Sequence, residues 1–238
     1  MGYTPDQLEK FFSRNDSYHS IKEEYKYIFN YDNGDVVIDG GAWIGDSALV
    51  HSMNVGEDGL VIAIECDPKS LAALRNGFDD IGNVKILDRA LWSDTVIKDF
   101  YIDTDWTNSH TLLKDFISVR NNFHKVKIKT ISIDSLIKRL KLDRVNHIQL
   151  NIEGAEVEAL IGANEVIDKF KPDIRVSCHI INDELTTDDV INVLYNYGYH
   201  LIIVNDFVIY GSFNKDDINR NYMYWKDGNI VWNDKDEL

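Results

Sequence analysis

Apolar positions along the chain follow two rhythms. Near the start, Leu8, Phe11 and Phe12, then Ile21, Tyr25, Ile28 and Phe29, recur at helical spacing. The polar stretch SRND interrupts them, which predicts two short helices over 4–30. After the turn DNGD (32–35) the rhythm changes to short continuous apolar runs. VVID (36–39), GLVIAIE (59–65), VKIL (84–87), VNHIQLNI (145–152) and PDIRVSCHI (172–180) read as strands buried on both faces. Amphipathic stretches alternate with them: IGDSALVHSMN, PKSLAALRNGF, DSLIKRLK, EVEALIGANEVIDKF and TTDDVINVLYNYG read as helices. Pro68 suits a first helical turn, Asp134 is the expected cap of its helix, and Gly198 the expected stop of the last.

Residues 92–125 are polar and mixed, with one strand expected in IKDFYID (97–103); KVKIKTISI (125–133) alternates like a half-exposed strand. YHLIIVN and FVIYGSF read as a hairpin turning near 206–207. Strands alternating with helices give an α/β, Rossmann-like fold, its mostly parallel sheet covered by helices on both faces and finished by an antiparallel C-terminal hairpin. No repeat or low-complexity linker divides the chain. The expected organisation is an N-terminal helical segment at 1–33, a main domain at 34–213 and a C-terminal tail at 214–238.

Charge narrows the partners. The 238 residues carry a net charge of −15, and phosphate polymers are bound by clustered Lys and Arg, so neither nucleic acid nor an anionic membrane is expected. The two cysteines, Cys66 and Cys178, have no metal-ligand spacing and read as buried thiols in a reducing compartment. The start has no basic segment followed by an apolar one, and no apolar run reaches the roughly 18 residues of a membrane span. Gly2 is not followed by Ser or Thr at position 6, which is Asp6, so no myristoyl anchor is expected. The final KDEL has no entry signal to accompany it and is taken as part of an acidic tail. A cytoplasmic protein is expected.

The candidate chemistry starts at VVIDGGAWIGDSAL (36–49), a strand, a glycine-containing loop and a helix. A phosphate-binding P-loop would need Lys where this chain has Asp46, and an acid there repels a triphosphate. The dinucleotide pattern GxGxxG fails in both frames, at Ala42 and at Trp43. A ligand with an adenosine end and no phosphate remains. Glu65, at the end of the second strand, can accept both ribose hydroxyls of such a ligand.

Together with NVKILDRALWSD, TISIDSLI and VNHIQLNIEGAEVEALIGANEVIDKFKPDIRVSCH, this segment resembles the FkbM-type methyltransferases of the class I S-adenosylmethionine-dependent fold, over about residues 34 to 205. The resemblance implies a seven-stranded sheet with S-adenosylmethionine over its first strands. It places Asp39, Gly41 and Gly45 around the methionine end, Glu65 on the ribose with Asp67 beside it, and Asp88, Arg89 and Ala90 near the adenine. Asn151 would face both methionine and acceptor. The family commonly reads K-x-D-x-E-G-x-E where this chain has QLNIEGAE, so Gln149 and Asn151 replace a lysine and an aspartate. Asn can hydrogen-bond but cannot take a proton, and it binds divalent ions weakly. Trp43 stands where a small or polar residue is frequent.

Methyl transfer to an alcohol gains from a base that removes the acceptor's proton. Glu153, Glu156, His179 and His110 are the candidates; Glu153 and His179, with Asn151, form the expected catalytic set, and no metal is expected. The aromatic-rich FFSRNDSYHSIKEEYKYIF and DTDWTNSH are candidate lids. The expected activity is O-methylation of a sugar, glycan precursor or small metabolite, in a monomer or homo-oligomer. The alternative is a non-catalytic, methyltransferase-like protein that binds S-adenosylmethionine, which the two substitutions favour.

Overall fold

The computed structural model describes residues 29–103, 110–114, 122–205, 207–218, 223–226 and 229–232. The helices expected over 4–30 lie outside them up to residue 28, as do most of the DTDWTNSH segment and the final KDEL; Phe29 and Asn30 are described and are not helical.

Among the described residues the order begins with β1 (Val36–Gly40), α1 (Asp46–Val55), β2 (Leu60–Glu65), α2 (Pro68–Gly77) and β3 (Val84–Asp88). An excursion follows: β4 (Ala90–Leu91), β5 (Ile97–Asp103) and β6 (Phe123–Ile131). The alternation then resumes with α3 (Ile133–Leu140), β7 (His147–Leu150), α4 (Glu156–Ile161), α5 (Asn164–Phe170) and β8 (Asp173–Ser177). A small hairpin, β9 (Ile180–Ile181) and β10 (Glu184–Leu185), precedes α6 (Thr187–Asn196). Strands β11 (His200–Asn205), β12 (Val208–Ser212), β13 (Met223–Lys226) and β14 (Asn229–Trp232) complete the order.

The main sheet runs β14-β13-β11-β12-β8-β7-β1-β2-β3. Strands β3, β2, β1, β7 and β8 are parallel; β12 and β11 join as an antiparallel hairpin. These seven strands are the mostly parallel sheet that the sequence implied, and β13 and β14 extend it beyond β11. Alternate residues serve opposite faces. Ile38, Ile62, Ile148 and Leu150 pack towards Leu136, Leu160 and Leu194, whereas Val37, Val61 and Ala63 pack towards Leu49, Leu74 and Phe78. Truncating the fully buried Ile148 to Ala would cost about 2–5 kcal/mol, since both sides of the sheet are filled. Among the described residues, no helix is long and apolar enough to cross a membrane.

Three local expectations change. The cap of α3 is Ser132, whose hydroxyl accepts from the Ser135 amide, and not Asp134. Asp134 instead reaches across to cap α5, accepting from the amides of Glu165 and Val166. EVEALIGANEVIDKF is two helices that part at residues 162–163; a side chain at Gly162 would lie 2.5 Å from the Trp92 carbonyl oxygen, and the Gly162 carbonyl accepts from the Asp134 amide. The alternating strand begins at Phe123 and ends at Ile131, which frees residue 132 for its capping role. Strand β6 pairs with β4 and β5 in a separate small sheet. Its inward side, with Phe100 and Ile102, packs against Ala155 and roofs the end of the main sheet.

Candidate functional site

Strand order reverses beside β1: the chain steps outward through β2 and β3 on one side and through β7 and β8 on the other. Ligands of open α/β sheets bind at the carboxyl ends of strands at such a point. A cavity of about 430 Å³ lies there. The β1–α1 loop lines it with Gly41, Trp43, Asp46 and Ser47, and the end of β2 with Glu65, Cys66 and Asp67. Opposite stand Gln149, Asn151 and Glu153 from β7 and the loop after it. Arg89 and Ala90 close one end, and Phe100, His110 and Leu112 cover the top.

Glu65 is held firmly at the centre. Its Oε1 accepts from the Cys66 and Asp67 amides at 2.7 Å each, and its Oε2 from the Trp43 amide at 2.9 Å. Burial raises its carboxyl above the usual range, against the pull of those three donors. The carboxylate thereby ties the glycine loop to the second strand and still borders the cavity. Asp67 does different work: it caps α2 by accepting from the Lys69 and Ser70 amides and pairs with His110 Nδ1 at 3.2 Å. Burial works to raise Asp67, but donation from His110 and Ser70 outweighs it and holds the carboxyl at about 2.

The loop glycines answer to packing. A Cβ at Gly41, whose φ is +81°, would sit 2.0 Å from the Asn151 carbonyl oxygen. One at Gly45, with φ +102°, would meet Phe78 at 2.3 Å. Asp39 is fully buried behind the cavity, accepting from Ser47 Oγ at 2.7 Å and from Gln149 Nε2 at 3.3 Å. Burial pushes its carboxyl up to about 7, although Ser47 opposes the shift.

The motif NIEGAE (151–156) builds the far wall. Glu156 is wholly buried, and its Oε1 accepts from the Ile152 and Gly154 amides, which folds the loop back on the start of α4. Glu153 occupies the left-handed region at φ +53°, a conformation that costs a non-glycine residue about 1–3 kcal/mol. Thr111 Oγ1 donates to its carbonyl at 2.6 Å and helps to hold it there. His179, just past β8, bridges the two acids: Nε2 is 3.4 Å from Glu153 and Nδ1 3.0 Å from Glu156. Burial opposes a charge on this ring, yet the two carboxylates overcome it and push the imidazole up to about 10. Two flanking carboxylates thus favour the protonated ring, which donates and does not take up a proton.

Of the residues marked out by the sequence, Gly41, Glu65, Asp67, Arg89, Ala90, Asn151 and Glu153 meet at the cavity, as does His110. Asp39 and Gly45 stand behind it, Asp88 faces outward near Arg75, and His179 and Glu156 support Glu153 from outside the lining. Ser47 and Gln149 were not anticipated as cavity residues. The register pairing Asp39 with Gln149 across β1 and β7 brings them together, and it cannot be read from either strand alone.

Comparison with known proteins fits this geometry. No curated protein matches the chain. A solved structure of the FkbM methyltransferase from Methylobacillus flagellatus KT is similar, at 20% identity and a TM-score of 0.54 over 82% of this chain and 47% of that one. The chain thus spans about half the length of that protein. Fibrillarin from Aeropyrum pernix, in complex with natively bound S-adenosyl-L-methionine, aligns at 12% identity and a TM-score of 0.49, over 81% of this chain and 73% of that one. The model of the methyltransferase FkbM domain matches residues 39–201, from the acid at the end of β1 to the first residues of β11. With that span covering most of the chain, including the glycine loop, Glu65 and the NIEGAE wall, the protein belongs to the FkbM methyltransferase family.

Proposed function

We propose that this protein is an S-adenosylmethionine-dependent O-methyltransferase whose acceptor is a hydroxyl of a sugar, a glycan precursor or a small metabolite. One observation carries the reading: a fixed carboxylate, Glu65, and a second one, Glu153, face a single cavity from the two sides of the strand-order reversal. The donor set fits the cofactor. Glu65 accepts from ribose hydroxyls, Gly41 and Ser47 border the methionine end, Arg89 and Ala90 the adenine end, and an acidic lining suits a sulfonium and an ammonium. When bound, S-adenosylmethionine supplies an activated methyl group, so the protein's work is alignment, exclusion of water and removal of one proton.

The proton goes to Glu153. His179 sits between two carboxylates that favour its protonated form, Glu156 is spent on the loop amides, and His110 is engaged by Asp67 and the Asp103 carbonyl, which leaves the Glu153 carboxylate as the base on the cavity wall. Asn151 donates or accepts a hydrogen bond beside it and orients the acceptor. His179 is a positioning residue that holds the Glu153 side chain at 3.4 Å. Phe100 and Leu112 shield the reacting atoms from water.

Calorimetry with S-adenosylmethionine, followed by methyl-transfer assays over free sugars, sugar nucleotides and small alcohols, tests the reading. Cofactor binding with turnover that is lost in Glu153→Gln supports it. Tight cofactor binding without turnover on any acceptor favours the non-catalytic alternative, for which Asn151 is the motivating residue. Absence of cofactor binding overturns both.

A further inference from the structure

The loop that carries Glu153 bends against the preference of its own residue. Glu153 and Gly154 both lie in the left-handed region, at φ +53° and +98°. Glycine adopts that conformation freely. A glutamate is strained in it, by an amount of the same order as one buried hydrogen bond. The groups that fix the peptide between these two residues therefore decide where Glu153 points.

That peptide is held on both sides. Its N–H, from Gly154, donates to Glu156 Oε1 at 3.3 Å; its C=O, from Glu153, accepts from Thr111 Oγ1 at 2.6 Å. Glu156 belongs to the same turn and moves with it. Thr111 comes from the excursion, 42 residues away in the chain, and is almost wholly buried. Its main chain pairs with Tyr101 of β5 in both directions, at 2.8 and 3.1 Å. Its hydroxyl accepts from the Leu113 amide at 3.1 Å, which leaves its own proton for the Glu153 carbonyl. His110, next to it, fastens the same segment to the opposite side of the cavity: its ring nitrogens lie 3.2 Å from Asp67 and 3.1 Å from the Asp103 carbonyl. Leu113 packs on the loop itself, where a Cβ at Gly154 would lie 3.2 Å from it.

We propose that Thr111 is a positioning residue of the base: its hydroxyl, anchored on the small sheet, holds the Glu153 main chain in the strained conformation that turns the carboxylate to the cavity and to His179. This role rests on Glu153 being the base proposed above. The work is divided, with His179 holding the side chain and Thr111 the main chain. Without the hydroxyl the 153–154 peptide turns, the strain is released, and the carboxylate leaves His179 Nε2, which it approaches at 3.4 Å.

The test uses the full chain with Thr111→Val, which keeps the shape and removes the hydroxyl, and Thr111→Ser, which keeps the hydroxyl. Thr111→Ala takes the place of the valine variant if circular dichroism shows that valine prevents folding. Three quantities are read: the His179 titration by proton NMR, S-adenosylhomocysteine affinity by calorimetry, and kcat and KM for methyl transfer to whichever acceptor of the sugar and alcohol panel is turned over. Burial disfavours a charge on His179 while Glu153 and Glu156 favour it, so displacing Glu153 should lower its midpoint by about one pH unit. Cofactor affinity should stay within about twofold, and kcat should fall at least about tenfold with KM for S-adenosylmethionine little changed. Thr111→Ser should behave as the wild type in all three. An unmoved His179 midpoint in the folded valine or alanine variant overturns the proposal. So does a loss of cofactor affinity that matches the loss of rate, or a serine variant with the same defects as valine. If the midpoint moves and serine restores it, but the wild-type protein turns over no acceptor, the clamp stands and it is the reading of Glu153 as a base that fails.

Discussion

Two histidines buried near opposite ends of the same sheet are shifted in opposite directions. His179, at the carboxyl end, lies between Glu153 and Glu156 and is pushed up to about 10. His51, on α1 near the other end, is fully buried, takes a 2.7 Å hydrogen bond with the Tyr31 hydroxyl, and is pushed down to about 3 by burial, with His147 and Arg175 adding to the shift. Burial works against the charge in both places. Partners decide the outcome: two carboxylates reverse it at His179, and cationic or ionisable neighbours reinforce it at His51. The end with matched charges is the end where chemistry is proposed. The other end is a packed junction in which Phe29 stacks on His147 at 4.7 Å and His147 pairs with Asp35 at 2.8 Å.

Removing one partner should break this contrast most severely. Glu156→Gln leaves His179 with Glu153 alone and weakens the loop that Glu156 folds, so urea unfolding should show a loss of about 3–5 kcal/mol. Proton NMR should place the His179 titration nearer 6.5. An unshifted titration would mean that Glu153 suffices to hold the charge.

At the neutral end, His51→Phe deprives the Tyr31 hydroxyl of its ring partner and should cost about 1–3 kcal/mol near neutral pH. The pH dependence gives the sharper signature. A histidine whose pKa falls on folding does not penalise the fold above 6.5 but destabilises it as pH drops from 6.5 towards about 3. His179 has the opposite sign: its contribution is full below 6.5 and is lost as pH climbs towards about 10. Melting temperatures of His51→Phe should therefore lose part of the acid-side decline and keep the alkaline one.

A smaller effect should appear in binding and not in charge. Glu65→Gln keeps one oxygen for the Cys66 and Asp67 amides but turns an NH2 group towards the Trp43 amide and gives a poorer acceptor for ribose, and should weaken S-adenosylhomocysteine by about tenfold in calorimetry. The smallest is expected at Asp39→Asn. Burial raises the Asp39 carboxyl to about 7, so the fold loses stability as pH rises from 3.8 to about 7, and the variant should flatten that slope while changing stability at pH 5 by under about 1 kcal/mol.

The contrast also shows what the sequence could carry. Strands buried on two faces announce themselves as continuous apolar runs, so β1, β2 and β7 and the sheet class were legible. The place of Glu65 on the cavity was legible as well, because it is the acid at the end of the second strand. Ser132, Gly162 and Gln149 were not. Each is set by a segment distant in the chain: Asp134 is drawn off to α5, the Trp92 carbonyl crosses α4's end, and Asp39 sits in register with Gln149. The charge of His179 was hidden for the same reason. A histidine and two glutamates some 25 residues apart have no sequence mark of contact.

The close approach at Gly41 has a consequence for anyone who would rebuild this site. The β1 loop and the loop after β7 meet where even a methyl group would overlap the Asn151 oxygen. The half that would hold a cofactor and the half that would activate an acceptor are therefore gauged against each other, backbone to backbone. Residues 40–46 and 151–156 form one inheritable part, to be grafted, recombined or redesigned together.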